Sequence, residues 1–288
     1  MNIPIFSTTH QLLLETDPLL KCSGVASLYE AWLSQKITFD ETYPLSTNIV
    51  GALPDYLPLV DPKHLKRRRL TTDIGKAALI HAIAHIEYNA INIALDACYR
   101  FRGMPTKYYY DWLKIAREEA YHFSLLATHL SHYGYRYGDF PAHLGLWEMV
   151  QKTGHDVLIR MALVPRLLEA RGLDVTPDIA KRLASAHDEI AAEILMIIFH
   201  DEIAHVRTGN EWYYQLCHER GLNPQETFVE LLKRYAPVHL RGPIAKDPRL
   251  KAGFEACELD ALIKMVQFGE RVNPQHSDDA SDKLALSS

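Results

Sequence analysis

Arg117-Glu-Glu119-Ala-Tyr-His122 and His200-Asp-Glu202-Ile-Ala-His205 carry the same Glu-x-x-His pattern, 83 residues apart. A further glutamate precedes each copy: Glu87 lies 32 residues before Glu119, and Glu169 lies 33 residues before Glu202. Residues i and i+3 share one face of an α-helix, so each Glu-x-x-His presents a carboxylate and an imidazole to one point. Written twice, the pattern supplies four carboxylates and two imidazoles, a set suited to two adjacent metal ions in the core of a four-helix bundle. A lone Glu-x-x-His means little in a chain with 15 histidines and is usually an exposed helical pair. Here only two occur, each on a predicted helix, and each follows a helix with a glutamate in an apolar setting. Glu87 sits among Ile83, Ile86, Ala90 and Ile91, Glu169 follows Leu163, Leu167 and Leu168, and Glu202 stands beside Ile198, Phe199 and Ile203. Burying four uncompensated carboxylates would be very costly, and cations remove that cost.

The hydrophobic period places these residues. From the cap cluster Thr71-Thr72-Asp73 the chain runs to about Arg102 without proline, with Leu79, Ile83, Ile86, Ala90, Ile93 and Ala97 at three- and four-residue steps. This predicts a long amphipathic helix. Gly103 and Pro105 mark a turn, and a second helix is predicted over 106–132, ending at Gly134. After a loop at 135–141, a third helix is expected over 144–171, kinked at Pro165 and closed by Gly172. Thr176-Pro177-Asp178 is expected to open a fourth helix that bends on its way to Arg220. Shorter helices are expected near 8–15, 24–36, 224–236 and 249–271. No stretch alternates like a strand, so the expected class is all-α: a four-helix bundle at 71–221, an extension at 1–70, a helical extension at 222–272 and a disordered tail at 273–288.

Composition bounds the rest. The chain has 288 residues, 48% hydrophobic and 23% charged, enough for a sizeable core. Its net charge of −5 gives no general attraction to nucleic acid or anionic membrane. Four scattered cysteines form no Cys-x-x-Cys pair and fit a reducing compartment. The N-terminus lacks the basic start and apolar run of a secretory signal, and no span is long enough to cross a membrane, so a cytoplasmic protein is expected. The basic run Lys63–Arg69 is the one feature favouring a nucleic-acid partner, and a solvated linker is the preferred reading.

On Glu87, Glu119-x-x-His122, Glu169 and Glu202-x-x-His205, over about residues 72–220, the chain resembles the ferritin-like di-iron carboxylate superfamily. Within it the chain is most similar to a bacterial branch with no assigned reaction, and more loosely similar to the di-iron tRNA hydroxylase. The resemblance implies a ferritin-like bundle holding two iron ions, with manganese accepted by the same donors. It implies that His122 and His205 each ligate one iron. Glu119 and Glu202 would bridge or chelate, and Glu87 and Glu169 would be terminal or switching carboxylates. Which glutamates bridge stays open. Asp201 and Glu118, each just before a ligand glutamate, are candidates to support a histidine ligand. Arg166, one turn before Glu169, is a candidate partner for it or a surface arginine.

The activity implied is an O2- or peroxide-using oxidoreductase, a hydroxylase or oxygenase on an unknown small-molecule or macromolecular substrate. An external electron donor is expected, because the chain carries no flavin, iron–sulfur or nicotinamide motif. Alternatives are a ferroxidase in an oligomeric cage, a tRNA-modifying hydroxylase, a dimanganese catalase and a metal-stabilised interaction protein without turnover. The long terminal extensions argue against a compact cage subunit.

Overall fold

The computed structural model describes residues 2–47, 49–65, 68–236 and 242–267. Over these residues the chain is mostly helical. Its elements are β1 (Ile3–Pro4), α1 (Ile5–Leu14), α2 (Pro18–Leu33), β2 (Ile37–Thr38), a 3-10 turn (Pro62–His64), α3 (Asp73–Arg100), α4 (Thr106–His132), α5 (Gly145–Lys152), α6 (Val157–Leu163), a π-helical segment (Val164–Glu169), α7 (Ala170–Ser185), α8 (Glu189–Glu219), α9 (Pro224–Tyr235), α10 (Lys246–Lys251) and α11 (Ala256–Gln267). The strands are two residues each and pair in parallel, so no sustained alternation was there to be read. The chain divides into two compact units, residues 1–154 with 177–198, and residues 155–176 with those from 199 onward. No helix among the described residues is long and apolar enough to cross a membrane. The expected disordered tail at 273–288 lies outside the described residues.

The first unit is organised around the α3–α4 hairpin, with α1 and α5 against α3 and α2 against α4. Helix α3 begins where the sequence predicts: the Thr72 hydroxyl accepts from Gly75 N at 3.2 Å. Gly75 is required there, because a Cβ would come within 1.9 Å of the Arg69 carbonyl oxygen. Helix α4 ends before Gly134, whose φ of 76° only glycine adopts readily. The amphipathic reading of α3 holds for its first half only. From Glu87 to Arg100 every residue is buried, whereas Ile86, expected on the core face, is half exposed. A helix buried all round marks the centre of a core. Several of its polar groups are matched: Arg100 pairs with Asp96 at 2.7 Å and donates to Thr47 O, and the Tyr99 hydroxyl donates to Pro44 O. The Lys21 amine of α2, fully buried, donates to Ala52 O and Asn92 Oδ1, and burial lowers its pKa to about 7. These bonds tie α2 and the 44–57 loop to α3.

The third and fourth helices depart from expectation. The stretch expected as one helix over 144–171 is interrupted between α5 and α6, where the Asp156 carboxylate caps α6 by accepting from Leu158 N at 2.7 Å. Pro165 sits in the π-helical segment. Gly172, expected as a terminator, and Thr176-Pro177, expected as an N-terminus, both lie inside α7. The real break is at residues 186–188, where His187 takes φ 60° and Asp188 caps α8 by accepting from Ala191 N at 3.1 Å. Leu173, Ala180 and Leu183 are buried at helical spacing along α7. Apolar burial along that face outweighs the local preference of glycine and proline to end a helix. In the second unit α6 packs against α9.

The imidazoles beside the hairpin carry a pH dependence. His81 is buried, and its Nε2 accepts from Gly138 N at 2.9 Å, which requires the neutral ring. Burial, reinforced by His85 and opposed by Asp139, lowers its pKa from 6.5 to about 4. The unfolded chain then takes up this proton first as pH falls, so the stability is present above pH 6.5 and is lost between pH 6.5 and 4. His81→Gln is expected to flatten the fall in Tm over that window relative to the wild type. Parallel curves from thermal denaturation would sink this assignment.

Candidate metal centre

Glu87 comes from the fully buried half of α3, and Glu119 and His122 from one face of α4. Antiparallel packing of the hairpin brings the three together. His122 Nδ1 lies 3.1 Å from Glu87 Oε2 and 3.4 Å from Glu119 Oε2. The three side chains are 5%, 1% and 0% exposed, so the cluster is sealed from bulk water. Burial opposes a charge on His122, but hydrogen bonding and attraction from Glu119 and Glu87 prevail and push its pKa up to about 11. Two buried carboxylates thus converge on one imidazole, a group that could bind a metal ion. Their donor atoms lie within 4.8 Å of one another, close enough to share one ion.

The second unit holds the other Glu-x-x-His. On α8, Glu202 Oε1 is 3.6 Å from His205 Nδ1, and both residues are buried. Glu169 is half-buried at the last position of the π-helical segment. Oxygen and imidazole donors of this kind suit iron, manganese or zinc, and the buried residues fit such an ion.

The remaining candidates fall in different places. Glu118 is half-buried and pairs with Lys114 at 2.9 Å on its own helix. Asp201 is half-buried, as are its neighbours Phe199 and Ile203. Arg166 is neither at the surface nor turned to Glu169. It is fully buried, donating to Asn210 Oδ1 at 2.8 Å and to Glu258 Oε1 at 2.7 Å. In the basic run, Lys63 is exposed and pairs with Asp61, Arg68 and Arg69 are exposed, and Lys66 and Arg67 lie outside the described residues.

Sequence reasoning missed two groupings near the ligand positions. Tyr88 and Phe123, each following a candidate ligand, pack at 5.2 Å and both contact the Tyr137 ring. Tyr137 OH lies 2.8 Å from His85 Nδ1, while His85 Nε2 lies 2.9 Å from the His143 carbonyl oxygen. The second grouping is His129, which meets Asp188 at 2.9 Å, with Tyr133 OH donating to the same carboxylate. The neighbours of Glu87 and His122 are visible in the sequence. The partners 52 and 59 residues away are not.

A fold of this kind, with buried Glu/His clusters that could bind a metal ion, defines a helical protein with a candidate metal centre. The chain belongs to the family described as "Protein of unknown function (DUF455)", whose model matches residues 14–260. It is 46% identical over 261 residues to an "Uncharacterized protein" of Haemophilus influenzae (strain ATCC 51907 / DSM 11121 / KW20 / Rd), covering 87% of this chain and 91% of the relative. No solved structure matches the chain.

A metal that binds only the native state raises stability, by about 2.7 kcal/mol at a concentration 100 times its Kd. Adding Mn(II) or Co(II) to metal-free protein is expected to raise Tm. His122→Ala is expected to remove most of that shift. An unchanged shift in the variant would show that the ion binds elsewhere.

Proposed function

We propose that this protein is a non-haem dimetal oxidoreductase, an O2-activating hydroxylase or oxygenase with a two-iron centre. The six ligands in this reading are Glu87, Glu119, His122, Glu169, Glu202 and His205. The observation that carries it is the buried convergence of Glu87 and Glu119 on His122, in a chain that repeats the Glu…Glu-x-x-His pattern. Bound iron would supply one-electron chemistry toward O2, and the protein would supply ligand geometry, enclosure and access for an external donor. The residues of the first unit do their part by exclusion: Glu119 and His122 are sealed from water, and Tyr88 and Phe123 stand next to the ligands in sequence and pack on each other. Buried neutral imidazole and charged carboxylate are the protonation states a metal selects, so binding releases the His122 proton. In this reading Asp201 and Glu118 support the ligand histidines.

Metal analysis of protein from its native host tests the reading, with iron near two per chain expected. Anaerobic Fe(II) loading followed by O2 should give an O2-dependent change in the electronic spectrum. Glu119→Ala and His205→Ala should both abolish full occupancy. Zinc alone, or no metal, would overturn the proposal, and a centre inert to O2 would leave a structural metal instead of an oxidoreductase.

A further inference from the structure

Glu169 closes a π-helical segment, and residues of α8, α10 and α11 hold the chain just before and just after it. Before Glu169, Arg166 donates to Glu258 of α11 at 2.7 Å and to Asn210 of α8 at 2.8 Å. Its guanidinium lies 4.2 Å from the Tyr213 ring centroid, 4.4 Å from Phe228, 4.8 Å from Phe254 and 5.0 Å from Tyr214. Glu258 is itself fixed, accepting from Tyr214 OH and from Glu255 N. After Glu169, Arg249 of α10 donates to the Ala170 carbonyl at 3.2 Å and forks onto Asp174 at 2.8 Å through each of two nitrogens. Arg166, Arg249, Asp174 and Glu258 are all buried.

This arrangement is expensive for simple helix packing. Two buried guanidinium–carboxylate pairs repay their desolvation only with near-ideal geometry, and apolar residues of similar volume often serve stability as well. What such pairs do better is fix direction, because a guanidinium fork donates to its partners in one plane. The turn they fix is the one that needs it. A π turn breaks the regular i→i−4 ladder, so it is held less well by its own backbone.

We propose that α10 and α11 brace Glu169, with Arg166 and Arg249 as positioning residues that set where its carboxylate stands. This rests on the reading of Glu169 as a metal ligand. The brace acts through the backbone on either side of Glu169, not by contact with the metal. The C-terminal extension is then part of the metal centre's scaffold.

The test uses the full-length chain titrated anaerobically with Co(II), reading stoichiometry, affinity and the visible d–d spectrum. Glu169→Gln defines the signature of a disturbed ligand. Glu258→Gln and Arg249→Lys, which keep side-chain size, are expected to shift the spectrum in the same direction and to weaken cobalt binding by up to about tenfold, the low end of the loss when a group bonded to a ligand is removed, because the brace acts through the backbone. Arg249→Lys keeps the charge beside Asp174 and loses the fork, so it serves if Glu258→Gln fails to fold. Arg220→Lys, in the Asp156–Arg220 pair of the same unit, should leave the spectrum unchanged. Folded brace variants with the wild-type spectrum and affinity, beside an altered Glu169→Gln, would overturn the brace alone. A wild-type chain that binds no cobalt would overturn the metal centre and the brace with it.

Discussion

Charge buried in a helical interior has to be answered by other charge, and that constraint shapes both units of this protein. Moving a carboxylate out of water costs several kcal/mol even after relaxation, so a buried one persists only with a close partner. Asp96 has Arg100, Asp174 has Arg249, and Glu258 has Arg166. Glu87 and Glu119 are different, because the two share His122. Even fully protonated, one imidazolium leaves that trio with a net negative charge. A divalent cation beside a neutral imidazole balances it. The arginine pairs read as architecture, whereas the two glutamates with His122 form a group that could bind a metal ion.

The same constraint explains why α3 is the axis of the first unit. A helix buried on all sides cannot turn its polar groups to solvent, so they need partners, several of which come from neighbouring elements. Tyr99, Arg100 and Asn92 are met by the 44–57 loop or by Lys21. The N-terminal residues therefore fold into the unit that carries Glu87. These bonds hold α3 in place alongside apolar contact, and a preorganised site needs such support around it.

How far the sequence can be read follows from the range of each interaction. Helices α3 and α4 were legible because their signals are local: a threonine cap, a glycine terminator and apolar residues at helical steps. The Glu-x-x-His pairs were legible for the same reason, since i and i+3 meet on any helix. Gly172 and Pro177 misled because they are also local signals, and here burial of Leu173, Ala180 and Leu183 overrode them, whereas the irregularity expected at Pro165 is present as the π-helical segment. Arg166 was visible as a charged residue near Glu169. Its partner was not, because Glu258 lies 92 residues further on and nothing in either neighbourhood names the other. Ile86 shows the reverse error, an apolar residue in step with the core that stands half exposed.

The long-range pairs also bear on what the functional unit is. Motif reasoning confines the centre to about residues 72–220, where the six candidate ligands lie. The family match is wider, from residue 14 to residue 260. It takes in Lys21, which secures α3 from one side, and Arg249 and Glu258, which secure the segment ending in Glu169. Ligand residues at fixed spacing are common on helices. Holding a carboxylate at the end of a π turn demands partners outside the local ladder, and the chain draws them from its C-terminal extension. The family match therefore takes in residues that hold these segments as well as the candidate ligands.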